Sequence, residues 1–452
     1  MGTVLGSLLA FIVAISVLVA VHEYGHYIVG RWCGMKVLKF SIGFGKPIWK
    51  RISGPDNTEY CISAIPLGGF VRFLDEREGP VAPADVGRAF NHRPVWQRIA
   101  VLFAGPLFNF LFAILAYWAL FIYGIPTVVP AVGVVEDDSV AAIAGLEEGD
   151  RIVEVNGQPS PDWESTLLGM LDQLVAENRI DLALEDADGY RREATIEVGA
   201  DSARLTEPGM LFDGLGFQPW QFPAIVGGVS AGGAAEAAGI VAGDRIVSVD
   251  GEPVTSFNEL VGLISPRPGE TVEIGFQRGT DSRLEHASVA LGSTEREGQS
   301  VGLLGVSSSG AANEFVYLRK FGPLESVSPA IERTWASSVF TLKMLGRMIT
   351  GDVSIKNISG PINIAQFAGQ SAERGLDYFL GFLAIVSISL GVLNLLPVPI
   401  LDGGQIVYQS FELFTGRPLS ERAQIIGQQA GILALVLLMS FAFYNDIARL
   451  LG

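Results

Sequence analysis

His22-Glu23-Tyr24-Gly25-His26 brings together two of the chain's four histidines with an acid between them. On a helix, positions 22 and 26 share one face about a turn apart, so both imidazoles can reach one cation. This H-E-x-x-H spacing suits a zinc site in which Glu23 touches an activated water without binding the metal. The chemistry so equipped is hydrolysis. The motif lies in an apolar stretch that has no other charged residue before Arg31. An ionisable group there costs about 2.5–3.5 kcal/mol on insertion scales, which makes a merely structural histidine pair a poor explanation.

A catalytic zinc has three protein ligands and a water. His286 lies in an acidic outer block, and His92 lies in a loop with no apolar helix to position it. Asp402 is the better third ligand. It follows Asn394-Leu-Leu-Pro397-Val-Pro399-Ile-Leu at the edge of an apolar run and needs a partner. The expectation is one Zn2+ per chain on His22, His26 and Asp402, with Glu23 as general base.

Four uncharged runs are long enough to carry these residues across a bilayer, which takes about 20 apolar residues. They are residues 1–21, continuing through the motif to about 29; 99–135, with the span ending near 125–126; 378–401; and 423–445. The first lacks a basic start and a cleavage site, so it is expected to stay as a span. With 49% hydrophobic and 17% charged residues and a mean hydropathy of +0.38, the chain is neither disordered nor a single soluble core. Two cysteines exclude a disulfide scaffold, and a net charge of −17 argues against nucleic-acid binding.

Eleven Lys and Arg fall in residues 31–98 and none before the first span. That bias places 31–98 in the cytoplasm, and the N-terminus, 126–377 and the C-terminus outside. Cys33 and Cys61 then face the reducing side and are expected as free thiols. Spans one and three both run inward, so His22, His26 and Asp402 share a depth.

Residues 127–308 hold 31 acids, ten arginines and no lysine, a net −21, whereas the rest carries +4. Within this block Gly145–Pro159 recurs as Gly239–Pro253, with 9 of the 15 positions identical. Ile-Val-x-Val reads as a strand, and Asn156-Gly157 and Asp250-Gly251 read as turns. Two tandem domains follow, 127–220 and 222–308. They resemble PDZ domains, with the glycine-containing loop late in each repeat as if circularly permuted. By that resemblance Gly214, Leu215, Gly216 and Phe217, and Leu304, Gly305 and Val306, are peptide-binding loops for C-termini. A size filter for substrates is the other role open to these domains.

The fold class expected is a polytopic α-helical membrane protein. Its parts are transmembrane helices at 1–30, 99–126, 377–403 and 423–446, a β-hairpin region at 31–98, the two outer repeats, and an outer region at 309–376. In the hairpin, Leu38, Phe40, Ile42 and Phe44 alternate with polar or small residues, as do Tyr60, Ile62 and Ala64. Its edge amides would pair with an extended substrate, with Gly43, Phe44 and Gly45 as contacts; an ordinary cytoplasmic hairpin is the plainer reading. Ile331, Trp335, Val339, Leu342, Leu345 and Ile349 recur at helical spacing. That helix lies on the outer leaflet or packs below the repeats.

H-E-x-x-H in the first span, N-x-x-P-x-P-x-x-D-G in the third, and the PDZ-like repeats between spans two and three together resemble the site-2 protease family. Gly105-Pro-Leu-Phe-Asn109-Phe110 and Ser359-Gly-Pro-Ile362 support the likeness, which covers essentially the whole chain. It implies a protease of a bacterial inner membrane, with its zinc site toward the cytoplasm. Its substrates would be the transmembrane helices of pre-trimmed single-pass proteins, anti-sigma factors and remnant signal peptides among them. It also implies a membrane-reentrant hairpin and substrate contacts at Asn394, Pro397 and Pro399. Gln405 stands where the family often has histidine. A transporter would show inverted repeats among its spans, and none is found. A catalytically silent PDZ scaffold has no use for His22, Glu23, His26 and Asp402 together.

Overall fold

The computed structural model describes residues 2–451 except 200–201, 208, 279–282, 297–298, 310–314, 352 and 355–358. The chain divides into a helical unit of residues 3–125, 320–350 and 355–452, and a β-rich unit of residues 1–2, 126–319 and 351–354. Among the described residues four helices, Val4–Trp32, Val95–Tyr123, Leu376–Leu395 and Glu421–Leu450, are long and apolar enough to cross a membrane.

The helical unit runs α1 (Gly2–Trp32), β1 (Val37–Ser53), β2 (Thr58–Phe73), α2 (Val95–Tyr123), α3 (Val327–Thr350), α4 (Pro361–Arg374), α5 (Leu376–Leu395), α6 (Asp402–Thr415) and α7 (Glu421–Leu451). Its centre is the contact of α2 with α5. Ala113, Ala116, Tyr117 and Leu120 pack on Ala384, Ile388 and Val392, and Ala330 of α3 joins them. Small residues bring the backbones close, as in helix packing within membranes. A methyl on Gly25 of α1 would strike the backbone of Ala104, and one on Gly391 of α5 would press on the Phe110 ring. In α3, Ala330 and Thr334 are buried, while Ile331, Trp335 and Leu342 remain exposed. This helix therefore packs on α2 and α5 and keeps an apolar outer face.

The third apolar run does not continue as helix to Asp402. Leu396 turns extended, with φ −62° and ψ 145°. Pro397 forces this, because a proline ring clashes with a helical residue before it. Asp402 instead opens the separate helix α6. The hairpin also differs from a simple two-stranded one. Lys39 pairs with both Arg72 and Glu59, and Phe40 with both Val71 and Tyr60. Both strands bend, giving the segment order 69–73, 37–42, 58–63, 47–53. The edge beside α1 is therefore Gly69–Phe73.

Two polar ties hold the helices that frame the site. Asp446 of α7 is buried and accepts from the backbone N–H of Gly360, Ile362 and Asn363 at 3.0, 2.9 and 3.1 Å. A carboxylate there satisfies the free amides at the start of α4. Near the start of α2, buried Arg98 grips Glu412 of α6 in a bidentate pair at 2.6 and 3.2 Å. Removing Arg98 leaves Glu412 without its partner; because Glu412 is partly exposed, the cost falls below the roughly 3–5 kcal/mol of a fully buried pair. Arg98→Met is thus expected to lower the melting temperature in detergent by several degrees. The double variant Arg98→Met/Glu412→Leu should recover most of that loss, and an unaltered single variant would show that the pair holds nothing.

In the β-rich unit, each repeat forms a four-stranded antiparallel sheet with one shared order. The first orders its strands Gln158–Pro159, Arg151–Val155, Arg179–Glu185, Arg191–Glu197; the second orders Glu252–Pro253, Arg245–Val249, Thr271–Gln277, Leu284–Ala290. Asn156 and Gly157 (φ 50° and 67°), like Asp250 and Gly251 (φ 50° and 82°), take the left-handed turns that join the short strands. Buried Asp150 and Asp244 pin the preceding loops and pair with Arg192 and Arg278.

The expected binding loops differ between the repeats. Gly214 and Leu215 are not in a loop. They close the helix Met210–Leu215, and Leu215 and Phe217 lie in the core, because this repeat carries short helices before its last strand. Phe212 of that helix packs edge-on against Trp163, with ring centroids 5.6 Å apart. In the second repeat a hairpin, Gly292–Arg296 with Gln299–Leu303, takes that place. Leu304, Gly305 and Val306 there border a groove of about 200 Å³ against Phe257, Leu260, Val261 and Ile264.

Candidate metal centre

The apolar sequence before His22 favours an uninterrupted helix, and α1 carries the motif through to Trp32. His22 and His26 lie one turn apart and meet edge to face, with ring centroids 4.8 Å apart and planes at 82°. Their Nε2 atoms are 3.2 Å apart. Asp402 Oδ2 lies 3.1 Å from His22 Nε2 and 3.5 Å from His26 Nε2. Asp402 reaches this point because the proline-broken loop ends α5 early and restarts the chain as α6.

These spacings can be tested against a metal. Tetrahedral ligands at zinc distances of about 2.1 Å stand about 3.4 Å from one another. The three observed separations scatter around that value. Asp402 Oδ2 is also buried without a well-formed hydrogen bond, although two imidazole nitrogens are near. The three ligand atoms converge on one point, as a tetrahedral site requires. The donor set fits zinc.

Helix α2 backs both histidines. His26 Nδ1 donates to the Val101 carbonyl at 2.7 Å. Asn109, fully buried, places its amide 3.1 Å from His22 Nδ1. Gly105 lies between, and any methyl on it would run into both imidazoles. Pro106 has no N–H, so it leaves the Leu102 carbonyl without its helical donor. In the sequence Gly105 and Asn109 stand out only as parts of a string that supports the family likeness. Their signal was a glycine and a polar amide one turn apart within an apolar span.

Glu23 is nearly buried and, with His22, His26 and Asp402, lines a cavity of about 590 Å³. Its further wall is the edge segment Gly69–Phe73, with Asp75, Arg77 and Glu78 beyond it. Gly69 packs on Glu23: a Cβ there would lie 3.0 Å from Glu23 Cγ. Gln405 also borders the cavity and donates to the Pro399 carbonyl at 2.9 Å.

Other expected site residues stand apart. Gly43, Phe44 and Gly45 lie outside the cavity lining, and Phe44 stacks on Phe70 at 6.3 Å. Asn394 lies in the last turn of α5, and Pro397 and Pro399 occupy the loop after it; none of the three lines the cavity. His92 pairs with Glu76 and His286 with Glu273, and neither belongs to the group formed by His22, His26 and Asp402.

Comparison with known proteins agrees with the motifs. The model of Peptidase family M50 matches residues 10–438. The regulator of sigma-E protease RseP of Escherichia coli K12 is 40% identical over 453 residues, 99% of each chain. RseP of Salmonella typhimurium 14028s is 40% identical over 457 residues, 100% of each. A Neisseria meningitidis relative, named as a zinc metalloprotease, is 41% identical over 453 residues, 99% of this chain and 100% of its own. A PDZ domain of an SdrC-like protein from Listeria monocytogenes is 24% identical over 20% of this chain and 92% of its own, with a TM-score of 0.18. The chain is a membrane protein that belongs to Peptidase family M50, and its activity is that of an intramembrane zinc metalloprotease.

Proposed function

We propose that this protease cuts within the transmembrane helices of single-pass membrane proteins already trimmed outside, with an anti-sigma factor as principal substrate and remnant signal peptides as a second class. Relatives named as regulators of sigma-E protease support that substrate. The observation that carries the catalytic reading is the convergence of His22, His26 and Asp402 beside Glu23.

His22 and His26 through Nε2, and Asp402 through Oδ2, would hold one zinc per chain. Zinc bound there would polarise the scissile carbonyl and lower the pKa of its water to about 7. Glu23 takes the water's proton on its carboxylate and passes it to the leaving nitrogen. The substrate must be extended at the cut, and unpaired backbone in hydrocarbon is costly. The outer edge of Gly69–Phe73 offers replacement partners by strand addition, since no other strand pairs with it among the described residues. Gly43, Phe44 and Gly45 serve this edge indirectly, by seating Phe44 on Phe70. Asn394, Pro397 and Pro399 contact the substrate farther along its length.

The two repeats act as tandem PDZ domains outside a bacterial inner membrane, on the same side as both termini, and the basic residues of 31–98 support that orientation. The apolar groove at Leu304–Val306 suits a peptide C-terminus. In the first repeat Phe212 fills its own domain's face, so capture at the second repeat is the better supported role.

Fragment proteomics on membranes from cells carrying wild type or Glu23→Gln tests the reading. Truncated transmembrane fragments of single-pass proteins should appear with wild type only. Identical fragment sets from both would end the proposed assignment of Glu23 and of the substrate class.

A further inference from the structure

The geometry points to Asn109 as a positioning residue for the metal. Its amide oxygen accepts from His22 Nδ1–H in the loaded protein and so fixes the tautomer in which Nε2 is free to ligate. This rests on the zinc reading above.

Asn109 sits in the middle of α2 with no exposed surface. A buried amide in an apolar span is costly unless it is bonded. Its side chain meets His22: Nδ2 lies 3.1 Å from His22 Nδ1, while Oδ1 is buried without a partner. With Nδ2 facing the ring, the amide donates, Nδ1 is bare, and the imidazole proton sits on Nε2. That proton would point among His26 Nε2 at 3.2 Å and Asp402 Oδ2 at 3.1 Å, where a metal must be. Turning the amide by 180° exchanges two atoms of nearly equal size. Oδ1 then accepts from Nδ1–H, and the Nε2 lone pair faces the other two ligands. Either orientation leaves one amide atom unpaired, so hydrogen-bond counting does not choose between them. The ligand set does.

His26 already has this arrangement, with Nδ1 on the Val101 carbonyl. One helix thus orients both imidazoles from positions two turns apart. The Asn109 backbone is itself held, because Ser387 Oγ of α5 donates to its carbonyl at 2.8 Å. Partners of this kind fix ring orientation and raise ligand basicity, and losing one typically costs about 10–100-fold in metal affinity.

The test measures zinc affinity by chelator competition on full-length, detergent-purified protein, with three variants. Asn109→Leu keeps the size and removes the acceptor; it should weaken zinc binding about 10–100-fold. Asn109→Asp offers only acceptors; it should stay within about threefold of wild type. His22→Phe should lose zinc, and its failure to do so would overturn the ligand reading itself and this inference with it. With His22→Phe zinc-free, wild-type affinity in Asn109→Leu overturns the positioning role alone. So does a loss in Asn109→Asp as deep as that in Asn109→Leu, since a purely structural amide would not be rescued by an acceptor. If Asn109→Leu fails to run as a single species on size exclusion, Asn109→Asp decides: affinity near wild type supports the role, and a loss of tenfold or more overturns it.

Discussion

Glu23→Gln is expected to lower turnover by about 10²–10⁴-fold, the usual worth of a positioned general base, with zinc content unchanged. Glutamine has nearly the shape of glutamate, so the packing of Gly69 on this side chain survives. Only the ability to accept a proton is lost. Asp402→Asn should behave differently. It also preserves shape and leaves the start of α6 intact, but it removes the one anionic member of the ligand set. Zinc content should fall, and activity should fall with it. The measurement is zinc per chain by atomic emission, together with cleavage of a single-pass helix in detergent. Wild-type turnover in Glu23→Gln would remove the general-base role. Full zinc and full activity in Asp402→Asn would remove the third ligand.

Much of this centre was legible in the sequence because its information is local or topological. His22 and His26 need only a helix to meet. Asp402 could be matched to them because spans one and three run in the same direction and end at the same depth, which follows from hydropathy and the arginines and lysines of 31–98. What lay beyond reach depends on partners. Alternation identifies a strand but does not name its neighbours, so the double pairing of Lys39 and Phe40 was hidden. With it was hidden the fact that Gly69–Phe73, and not Gly43–Gly45, borders the cavity. The early end of α5 had a readable cause in Pro397, but an apolar run masked it: hydropathy is blind to whether the backbone is helical. Gly105 and Asn109 are a third kind of case. A glycine in a span ordinarily signals close packing, and only the crossing of α1 and α2 shows that the packed objects are the two imidazoles.

Gly105→Ala therefore carries the sharpest contrast between stability and function. A methyl at this position would lie 2.7 Å from His22 Cε1 and closer still to the His26 ring. Neither ring can step aside easily, since His26 Nδ1 is held by Val101 and His22 Nδ1 faces Asn109. Nor can α1 shift toward α2 to find a new seat, because Gly25 already rests on the Ala104 backbone. The methyl is accommodated by displacing the imidazoles or prising the helices apart, and either moves the ligands. A misplacement of about 1 Å at a reacting centre costs on the order of 10²-fold in rate, so turnover should drop by at least that much, with weaker zinc binding. Helix propensity acts in the opposite direction, since alanine is favoured over glycine by about 1 kcal/mol in a helix interior. The variant should therefore keep a melting temperature near wild type while losing metal and activity, a combination that general unfolding does not produce. Gly6→Ala, on the same α1 helix as the histidines but with open space around its Cβ, supplies the control and should match wild type in all three measurements. Wild-type zinc content and turnover in Gly105→Ala would mean that the imidazoles are not held against α2 in the working enzyme.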